Sequence, residues 1–536
     1  METVEHVTGP SGGIPRSYWV FGLALVAYVG MITGQRDNHW QTDAWEHHRG
    51  VRAISANLLE RRNPTYATDD QTPRYGPYVV ALGAISRWTG IDPFHALSIG
   101  AVANTLLLIG GIAWFVAAIE LPGAANALLV VMVSLYGSIP RTTNSYALAD
   151  LPWHQVNPSA CAFALTLFAW GFFFQFRRRP TVWMWPAQVL LISFVMLTHG
   201  LTGAFCFFGM FCFAAFASPP HRVRLLGSAV LLAALVVGVC VLWPWYDFLT
   251  VARTRPADLQ YSDDWYSPGL VKLALFNWAA PAILCAACAL RFWSQPVLRA
   301  SVIAGALAWA VSIAGLATRT PVLGRLPIPS IFFWHLPAAI FAYRAGLLDA
   351  RRRSRSWIRD LIVKRQDVAP DRVLELVVLG AFAWCLVPQF SEIVRQPYLA
   401  RAYVVRLFPG REDKQLNLRR TYAELLEPIS EGDVVLSDDV TAWPVPAFGG
   451  RVVSALHDEL LVSGQVDRER DVNVFLAPGT SDERRDEIIN RYGVRWIIIN
   501  RNRTAPEYSA IIARRFQSVR EVGGLLLLKV EETSLR

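Results

Sequence analysis

Long apolar runs constrain this chain more than any other feature, because a helix needs roughly 20 apolar residues to cross a bilayer. The hydrophobic fraction is 53% and the charged fraction is only 17%, whereas soluble domains carry about a quarter charged residues. The predicted fold is therefore an α-helical polytopic membrane protein with eleven transmembrane helices. The predicted spans are 18–34, 94–117, 122–139, 158–176, 181–197, 200–217, 224–245, 270–290, 297–317, 328–348 and 372–388.

The distribution of arginine predicts the orientation of these spans. With the N-terminus inside, four short loops, among them RRRP (177–180) and ARRRSRSWIRDLIVKR (350–365), hold twelve Lys and Arg residues. The short loops on the opposite side hold five. Cytoplasmic loops carry the excess of basic residues, so the chain is predicted to be N-in and C-out. Segment 77–89, which contains Arg87, is interpreted as an interfacial helix, because an extra span would reverse this asymmetry.

The formal net charge of +9 does not indicate nucleic acid binding, because much of the basic charge lies in loops where it sets topology. The sequence contains no P-loop, no zinc-ligand spacing and no GxGxxG turn. None of the seven cysteines lies in 389–536, so that region has no disulfide framework. The predicted partners are the membrane and its lipids, and no nucleic acid is expected.

The composition changes after Pro388 and divides the chain into a transmembrane domain, 1–388, and a C-terminal region, 389–536. Strand, helix and hairpin patterns follow one another at 431–439, 445–455, 481–493, 494–500 and 520–530. Strands that alternate with helices predict a small α/β domain, here on the extracytoplasmic side. The simplest interpretation is that this domain supports or covers a site in the membrane domain and contributes no catalytic residue.

The first outer loop, 35–93, begins with a cluster of ionisable residues beside an apolar run. In TDAWEHHRG (42–50), Asp43, His47 and Gly50 would share one face of a helix. A carboxylate there could act as a general base on a hydroxyl or could bind a cation. Asp43 and the residue three positions later also resemble a helix-capping pair. The spacing leaves both interpretations open.

Further acids, histidines, arginines and aromatics fall on the same side of the membrane. Ionisable residues at a membrane edge are functional candidates, and arginine forks suit phosphate while acids and aromatic faces suit sugars. For His199 a hydrogen-bonded turn residue is the alternative, and for Arg319 and Arg325 contact with lipid headgroups. The candidate substrate-binding residues are Glu46, His47, Arg49, Asp69, Asp70, Arg74, Tyr75, Asp150, His154, His199, Arg319 and Arg325.

The stretch DAWEHHRG (43–50) resembles the Asp-x-Trp stretch and its following arginine in the first loop of oligosaccharyltransferase catalytic subunits. The order of one span, a long outer loop, further spans and an outer α/β domain is similar to that of polytopic GT-C glycosyltransferases. The resemblance implies that Asp43 is the catalytic acid, that Arg49 is its arginine and that Asp150 is a second-loop acid. The acceptor-recognition motif WWDYG of oligosaccharyltransferases is absent, which argues against protein N-glycosylation.

The resemblance implies a hexosyl- or pentosyltransferase that moves a sugar from a polyprenyl-phosphate-linked donor to a glycan, lipid or protein acceptor. Asp43 would deprotonate or orient the acceptor hydroxyl, and Arg319 and Arg325 would stabilise the leaving phosphate. Metal dependence is left open, with Mg²⁺ or Mn²⁺ on Asp43 and Asp150 as the candidate site. The expected location is a bacterial inner membrane with a periplasmic active site. The alternatives are a transporter, flippase or ligase of lipid-linked glycans.

Overall fold

The computed structural model describes residues 13–34, 43–135, 146–178, 181–254, 293, 295–318, 330–344, 380–381, 383, 385–387, 389–390, 418–457, 459–503 and 512–531. The predicted span 270–290 lies outside these residues, and so does most of the predicted span 372–388. Arg319 and Arg325 also lie outside them.

The described part of the N-terminal domain is helical. Its helices are α1 (Arg16–Thr33), α2 (Ala44–Ala56), α3 (Pro77–Thr89), α4 (Pro93–Ala118), α5 (Ala125–Ser134), α6 (Leu151–Gln155), α7 (Pro158–Arg178), α8 (Met184–Thr198), α9 (Gly200–Ala215), α10 (Pro219–Val241), α11 (Phe248–Arg253), α12 (Pro296–Ala317) and α13 (Phe332–Arg344). Among the described residues, five helices are long and apolar enough to cross a membrane: α1, α4, α7, α10 and α12. Helices α5, α8, α9 and α13 are apolar but shorter. All of these coincide with predicted spans, while the total of eleven and the orientation stay predictions.

Prolines mark where two of the long helices begin. Helix α4 begins at Pro93, and the Asp92 side chain accepts a hydrogen bond from the backbone N–H of Phe94 at 3.0 Å. Helix α10 begins at Pro219, earlier than the predicted residue 224. Proline at the first helical position loses no hydrogen bond, because that N–H has no partner within the helix. Helix α10 therefore has a polar first turn that precedes the apolar span predicted from the sequence.

Helices α4 and α7 approach closely because a glycine faces their contact. A methyl group on Gly111 of α4 would lie 2.8 Å from the backbone oxygen of Ala164 on α7. Small residues let helix backbones pack closely where lipid supplies no hydrophobic driving force. Further along α7, Trp170 is fully buried, donates a hydrogen bond to the carbonyl of Cys206 at 2.9 Å and stacks on Phe333. Backbone contact and aromatic packing thus hold the helices together.

The first outer loop folds into two packed helices, α2 and α3. A methyl group on Gly83 of α3 would lie 2.5 Å from a side-chain carbon of Ile54 on α2, so glycine permits this contact. Arg87 of α3 donates hydrogen bonds to the carbonyls of Ser55 and Ala56 at the end of α2. A basic side chain satisfies the last carbonyls of a helix in this position. Segment 77–89 is therefore helical as predicted, and its place at the membrane interface stays a prediction.

The C-terminal region contains the predicted α/β domain. Its elements are α14 (Leu418–Leu425), β1 (Val434–Leu436), α15 (Asp439–Ala442), β2 (Arg451–Val452), α16 (Gln465–Leu476), α17 (Asp482–Tyr492), β3 (Val494–Asn500), β4 (Gln517–Val522) and β5 (Leu525–Lys529). The strand order in the sheet is β2-β1-β3-β5-β4. Strand β1 is parallel to β2 and β3, and β5 is antiparallel to β3 and β4.

Local sequence signals set the ends of α17 and its neighbours. The Ser481 hydroxyl accepts a hydrogen bond from the backbone N–H of Arg484, and Gly493 ends the helix with φ of 62°. Asp438, at the end of β1, caps α15 by accepting from the backbone N–H of Thr441. Serine and aspartate satisfy free N–H groups at helix starts, and glycine adopts positive φ at little cost. The predicted helix over 481–493 is confirmed, and Asp438 is a capping residue.

The first outer loop covers one edge of this sheet. Strand β2 is an edge strand, and its Val452 donates a backbone hydrogen bond to the Thr65 carbonyl at 2.7 Å. Its carbonyl accepts from the N–H of Ala67 at 2.9 Å. An uncovered edge strand exposes unpaired backbone groups, so these bonds both protect the sheet and dock the domain.

A stack of side chains makes a second contact between the domains. The Arg419 guanidinium of α14 lies 3.9 Å from the ring centroid of Phe94, and His48 of α2 stacks on the same ring at 3.4 Å. Arg419 also pairs with Asp92 at 2.8 Å. Cation–π contact and ion pairing therefore fix α14 against the starts of α2 and α4.

We expect Gly111→Ala to destabilise the helical domain. The added methyl group would meet the Ala164 backbone rather than a movable side chain, and such overpacking costs about 1–3 kcal/mol. Gly227→Ala on α10 is the matched control, since no atom lies within 4 Å of its added methyl group. Thermal unfolding of the purified protein in detergent should show a lower melting temperature for Gly111→Ala alone. Equal melting temperatures would contradict the α4–α7 contact.

Candidate active site

Asp43 lies at the start of α2, a short distance after the first apolar helix. Its carbonyl accepts the first hydrogen bonds of the helix, from the N–H groups of Glu46 at 3.0 Å and His47 at 3.1 Å. Its side chain makes no capping hydrogen bond. The carboxylate is 35% exposed, and its Oδ1 lies 3.8 Å from Nδ1 of His457. The capping interpretation therefore does not describe the side chain of Asp43, which faces a residue of the C-terminal domain.

Glu46 lies one turn further along α2 and is fully buried. Its Oε1 accepts hydrogen bonds from Nδ1 of His457 at 2.6 Å and from Nε1 of Trp443 at 3.2 Å. Its Oε2 forms an ion pair with Arg74 of the first loop. A buried carboxylate costs several kcal/mol unless it is paired and hydrogen bonded. Side chains from both domains thus make this burial possible.

Glu459 is the second buried carboxylate, and the C-terminal domain supplies it. It pairs with Arg49 of α2, and both side chains are 1% exposed. Nε of Arg74 donates to the same oxygen at 3.2 Å. The remaining donors to this carboxylate come from the first loop: Asn63 at 2.6 Å, Thr72 at 2.8 Å and Thr65 at 3.2 Å. The first loop therefore forms a pocket of donors that encloses Glu459.

The electrostatics of this cluster follow from burial and pairing. Burial would raise the pKa of Glu46, but Arg74 and the hydrogen bond from His457 outweigh it and lower that pKa. Burial likewise opposes ionisation of Glu459, but Arg49 and Arg74 lower its pKa. For His457, the bond to Glu46 outweighs burial and raises the pKa. Ion pairs between these two carboxylates and Arg49 and Arg74 therefore hold the cluster together.

His47 is neutral, unlike the charged side chains around it. Burial, followed by the positive charge of Arg74, lowers the pKa of His47 to about 3. Its ring is therefore neutral at pH 7, and its Nδ1 is buried without a hydrogen-bond partner among the described residues. His199 interacts with it electrostatically and also caps α9, where its Nδ1 contacts Oγ1 of Thr202 at 2.7 Å. The turn-residue interpretation of His199 fits this geometry.

The structure also shows the surroundings of three other predicted residues of the first loop. The Tyr75 hydroxyl donates to the carbonyl of Arg62 at 3.0 Å, and its side chain is buried. Asp70 accepts hydrogen bonds from the backbone N–H of Ser463 at 3.0 Å and from its hydroxyl at 3.1 Å. Asp69 is exposed. Asp70 therefore joins the first loop to the C-terminal domain, and Asp69 faces solvent.

The second-loop residues lie on and beside α6. Asp150 is buried at the start of α6 and acts electrostatically on Tyr28 of α1. His154 is also buried, with its ring edge-to-face against Tyr146 at 4.4 Å. The roles of Asp150 and His154 in substrate binding stay predictions. Arg319 and Arg325 lie outside the described residues, so their roles stay predictions as well.

A metal ion has one candidate group of ligands within the described part of the chain. Ligand atoms of Asp43, Glu46 and His457 all lie within 4.8 Å of one another. Asp150 is not part of this group. However, the Glu46 oxygens are already engaged by His457 and Arg74, and a guanidinium beside the site repels a cation. The spacing suits a divalent cation, but the hydrogen bonding and charge of these side chains do not.

The sequence pointed to Asp43, Glu46, Arg49 and Arg74, and the structure brings these four to one cluster. It did not point to His457 or Glu459, or to Trp443. The available signal was HDE (457–459), a histidine and two acids after a strand in SALHDEL. That signal lies in the domain for which no catalytic residue is expected from the sequence.

Removal of the Glu459 charge should loosen the contact between the domains. Glu459→Gln leaves Arg49 buried beside a neutral amide, and breaking a buried pair costs about 3–5 kcal/mol. The control is Glu431→Gln, which removes a pair with Arg52 in which the glutamate is 60% exposed, where the cost is below about 1 kcal/mol. We expect a lower melting temperature and faster proteolysis of the C-terminal domain in Glu459→Gln only. Equal behaviour of the two variants would contradict the buried cluster.

The pH dependence of this contact follows from the lowered pKa of Glu459. A carboxylate with a lowered pKa stabilises the folded state above its ordinary value of 4.5, and that stability is lost as the pH falls towards the folded pKa. The melting temperature of the wild type should therefore fall as the pH decreases below 4.5. Glu459→Gln should show a smaller fall, measured by thermal unfolding across a pH series. An identical acid limb in the two proteins would contradict the pairing.

The similarity of this chain to known proteins is a similarity of fold. No family model matches the sequence, and no curated protein matches it either. The structure is similar to ArnT from Cupriavidus metallidurans in the apo state, at 13% identity and a TM-score of 0.52, over 97% of this chain and 98% of that chain.

Two further solved structures are similar over most of this chain. Arabinofuranosyltransferase AftD from Mycobacteria matches at 12% identity with a TM-score of 0.53, over 97% of this chain and 40% of that chain. The oligosaccharyltransferase of Archaeoglobus fulgidus, tethered with an acceptor peptide containing the NVT sequon, matches at 12% identity with a TM-score of 0.50, over 94% and 72%. These neighbours are polytopic membrane glycosyltransferases of the GT-C type. The chain has the fold of the GT-C glycosyltransferases.

Proposed function

We propose that this protein is a membrane glycosyltransferase that moves a hexosyl or pentosyl group from a polyprenyl-phosphate-linked donor to an acceptor hydroxyl. Asp43 is the catalytic residue, and the reaction takes place on the outer face of a bacterial inner membrane. The acceptor is a glycan, a lipid or a protein. The GT-C fold supports this class of reaction, since solved structures with the fold include an oligosaccharyltransferase and an arabinofuranosyltransferase.

The observation that carries the proposal is the contrast between Asp43 and its neighbours. Glu46 and Glu459 are buried and paired with arginines, so their charges are used within the protein. Asp43 keeps a carboxylate that is 35% exposed beside them. It lies at the N-terminus of α2, where the helix dipole favours a negative charge. An accessible carboxylate near a membrane helix is suited to accept a proton from a bound hydroxyl.

The reaction balances as a substitution at the anomeric carbon. The acceptor hydroxyl gives its proton to Asp43 as its oxygen bonds to the anomeric carbon. The bond from that carbon to the phosphate oxygen breaks, and its electron pair leaves with the polyprenyl phosphate. Arg319 and Arg325 stabilise the leaving phosphate. No metal enters these steps, because the charges around Asp43 and Glu46 do not fit a resident cation.

Replacement of Asp43 by asparagine should abolish transfer while it preserves the fold. The amide has the same shape but accepts no proton, and loss of a general base costs about 100-fold or more in rate. Asp467→Asn is the matched control, because that aspartate is 62% exposed on α16 of the C-terminal domain. The measurement is transfer of a labelled sugar from a lipid-linked donor by purified protein in detergent. Full activity of Asp43→Asn would refute the catalytic assignment.

The same assay separates an enzyme from a transporter or flippase. An enzyme releases the sugar from its lipid carrier in detergent, where no membrane separates two compartments. A transporter leaves the lipid-linked sugar intact under these conditions. Release that requires Asp43 supports the proposal, and an unchanged donor across a panel of lipid-linked hexoses and pentoses contradicts it.

A further inference from the structure

We propose that the C-terminal domain completes the active site by holding the imidazole of His457 beside Asp43. His457 is a positioning residue: its ring, held by Glu46, lies against the Asp43 carboxylate and limits the orientation of that carboxylate. This inference rests on the proposed function, because it assigns a role in the same reaction. It reverses the expectation that the C-terminal domain only supports or covers the site.

The direction of the hydrogen bond defines the state of the ring. Nδ1 of His457 lies 2.6 Å from Oε1 of Glu46, and an ionised carboxylate can only accept. Nδ1 therefore carries a hydrogen, whether the ring is neutral or charged. The Trp443 ring contacts the imidazole edge-on at 5.0 Å and donates to the same Glu46 oxygen. Glu46 thus orients His457 as a carboxylate orients the histidine of a catalytic dyad.

Contacts from the first loop hold the chain on both sides of this ring. The Tyr66 hydroxyl donates to the carbonyl of His457 at 2.8 Å. Two residues later, Glu459 is enclosed by the arginines and hydroxyls described above. Gln465 then accepts from the N–H of Glu459 at 2.7 Å and donates to its carbonyl at 2.7 Å. This segment is tied to the first loop at two points, at the carbonyl of His457 and at the carboxylate of Glu459.

The charges that face His457 favour its protonated form. Glu46 and Asp43 are negative and lie within 3.8 Å of Nδ1, whereas Arg74 is the opposing positive charge. The ring beside Asp43 limits the orientation of the carboxylate. When the acceptor proton reaches Asp43, no proton has to leave His457, so the ring acts through Asp43 rather than on the substrate.

His457→Asn separates this role from simple structural support. The asparagine amide can still donate to Glu46 from near the position of Nδ1, but it leaves the space of the imidazole ring beside Asp43 unfilled. We expect kcat to fall roughly tenfold to a hundredfold with little change in KM. The limb of the pH–rate profile that reports the histidine should also disappear. His457→Ala removes both the bond and the ring, and His221→Asn at the exposed start of α10 is the control.

A wild-type kcat and pH profile in His457→Asn would overturn the inference, because the hydrogen bond alone would then suffice. If the wild type transfers no sugar, the proposed function fails instead. The contact is then tested by melting temperatures of Asp43→Asn, His457→Asn and the double variant. Non-additive shifts support the contact between the two residues, and additive shifts refute it. Monodispersity on size-exclusion chromatography verifies that each variant is folded.

Discussion

Two buried carboxylates and two arginines constrain this structure more than any other set of side chains. Glu46 and Arg49 belong to α2, Arg74 belongs to the first loop, and Glu459 comes from the C-terminal domain. The buried charges of Glu46, Arg49 and Glu459 could not be buried alone, because an unpaired ion in a protein interior costs several kcal/mol. The C-terminal domain therefore supplies the carboxylate that compensates the buried Arg49. These charges select the geometry of the contact between the domains. The backbone bonds between the sheet edge and Thr65 and the stacking of Arg419 on Phe94 then add to that contact.

Such a cluster contributes specificity of arrangement more than net stability. Pairs of buried charges often stabilise no better than well-packed apolar side chains would. They contribute instead through the number of directed hydrogen bonds and ion pairs that must form at the same time. Glu459 accepts from two arginines, two threonines and an asparagine, so a shift of the domain would leave several of these groups unsatisfied. The position of the neighbouring His457 is fixed as a consequence.

Local structure could be predicted from the sequence, and long-range pairing could not. The ends of α17 at Ser481 and Gly493 follow from capping chemistry within a few residues. The apolar helices follow from runs of suitable length. The partner of Arg49, by contrast, is 410 positions away, and no local pattern encodes that pairing. Arg49 and Arg74 were predicted to bind substrate because their type and place suit phosphate. In the structure Arg49 pairs with Glu459, and Arg74 pairs with both Glu46 and Glu459. The segment around Glu459 has neither a helical nor a strand period.

The carboxylates differ in exposure and pairing because their environments differ. Asp43 and Glu46 lie three residues apart on one helix, yet Glu46 is enclosed by His457, Trp443 and Arg74 while Asp43 keeps access to solvent. Environments that separate two nearby acids in this way assign them different tasks. A buried, paired acid orients its neighbours, and an accessible one can exchange a proton with a ligand. The charge cluster therefore does more than join two domains. It encloses Glu46 and leaves the neighbouring Asp43 side chain partly accessible to solvent.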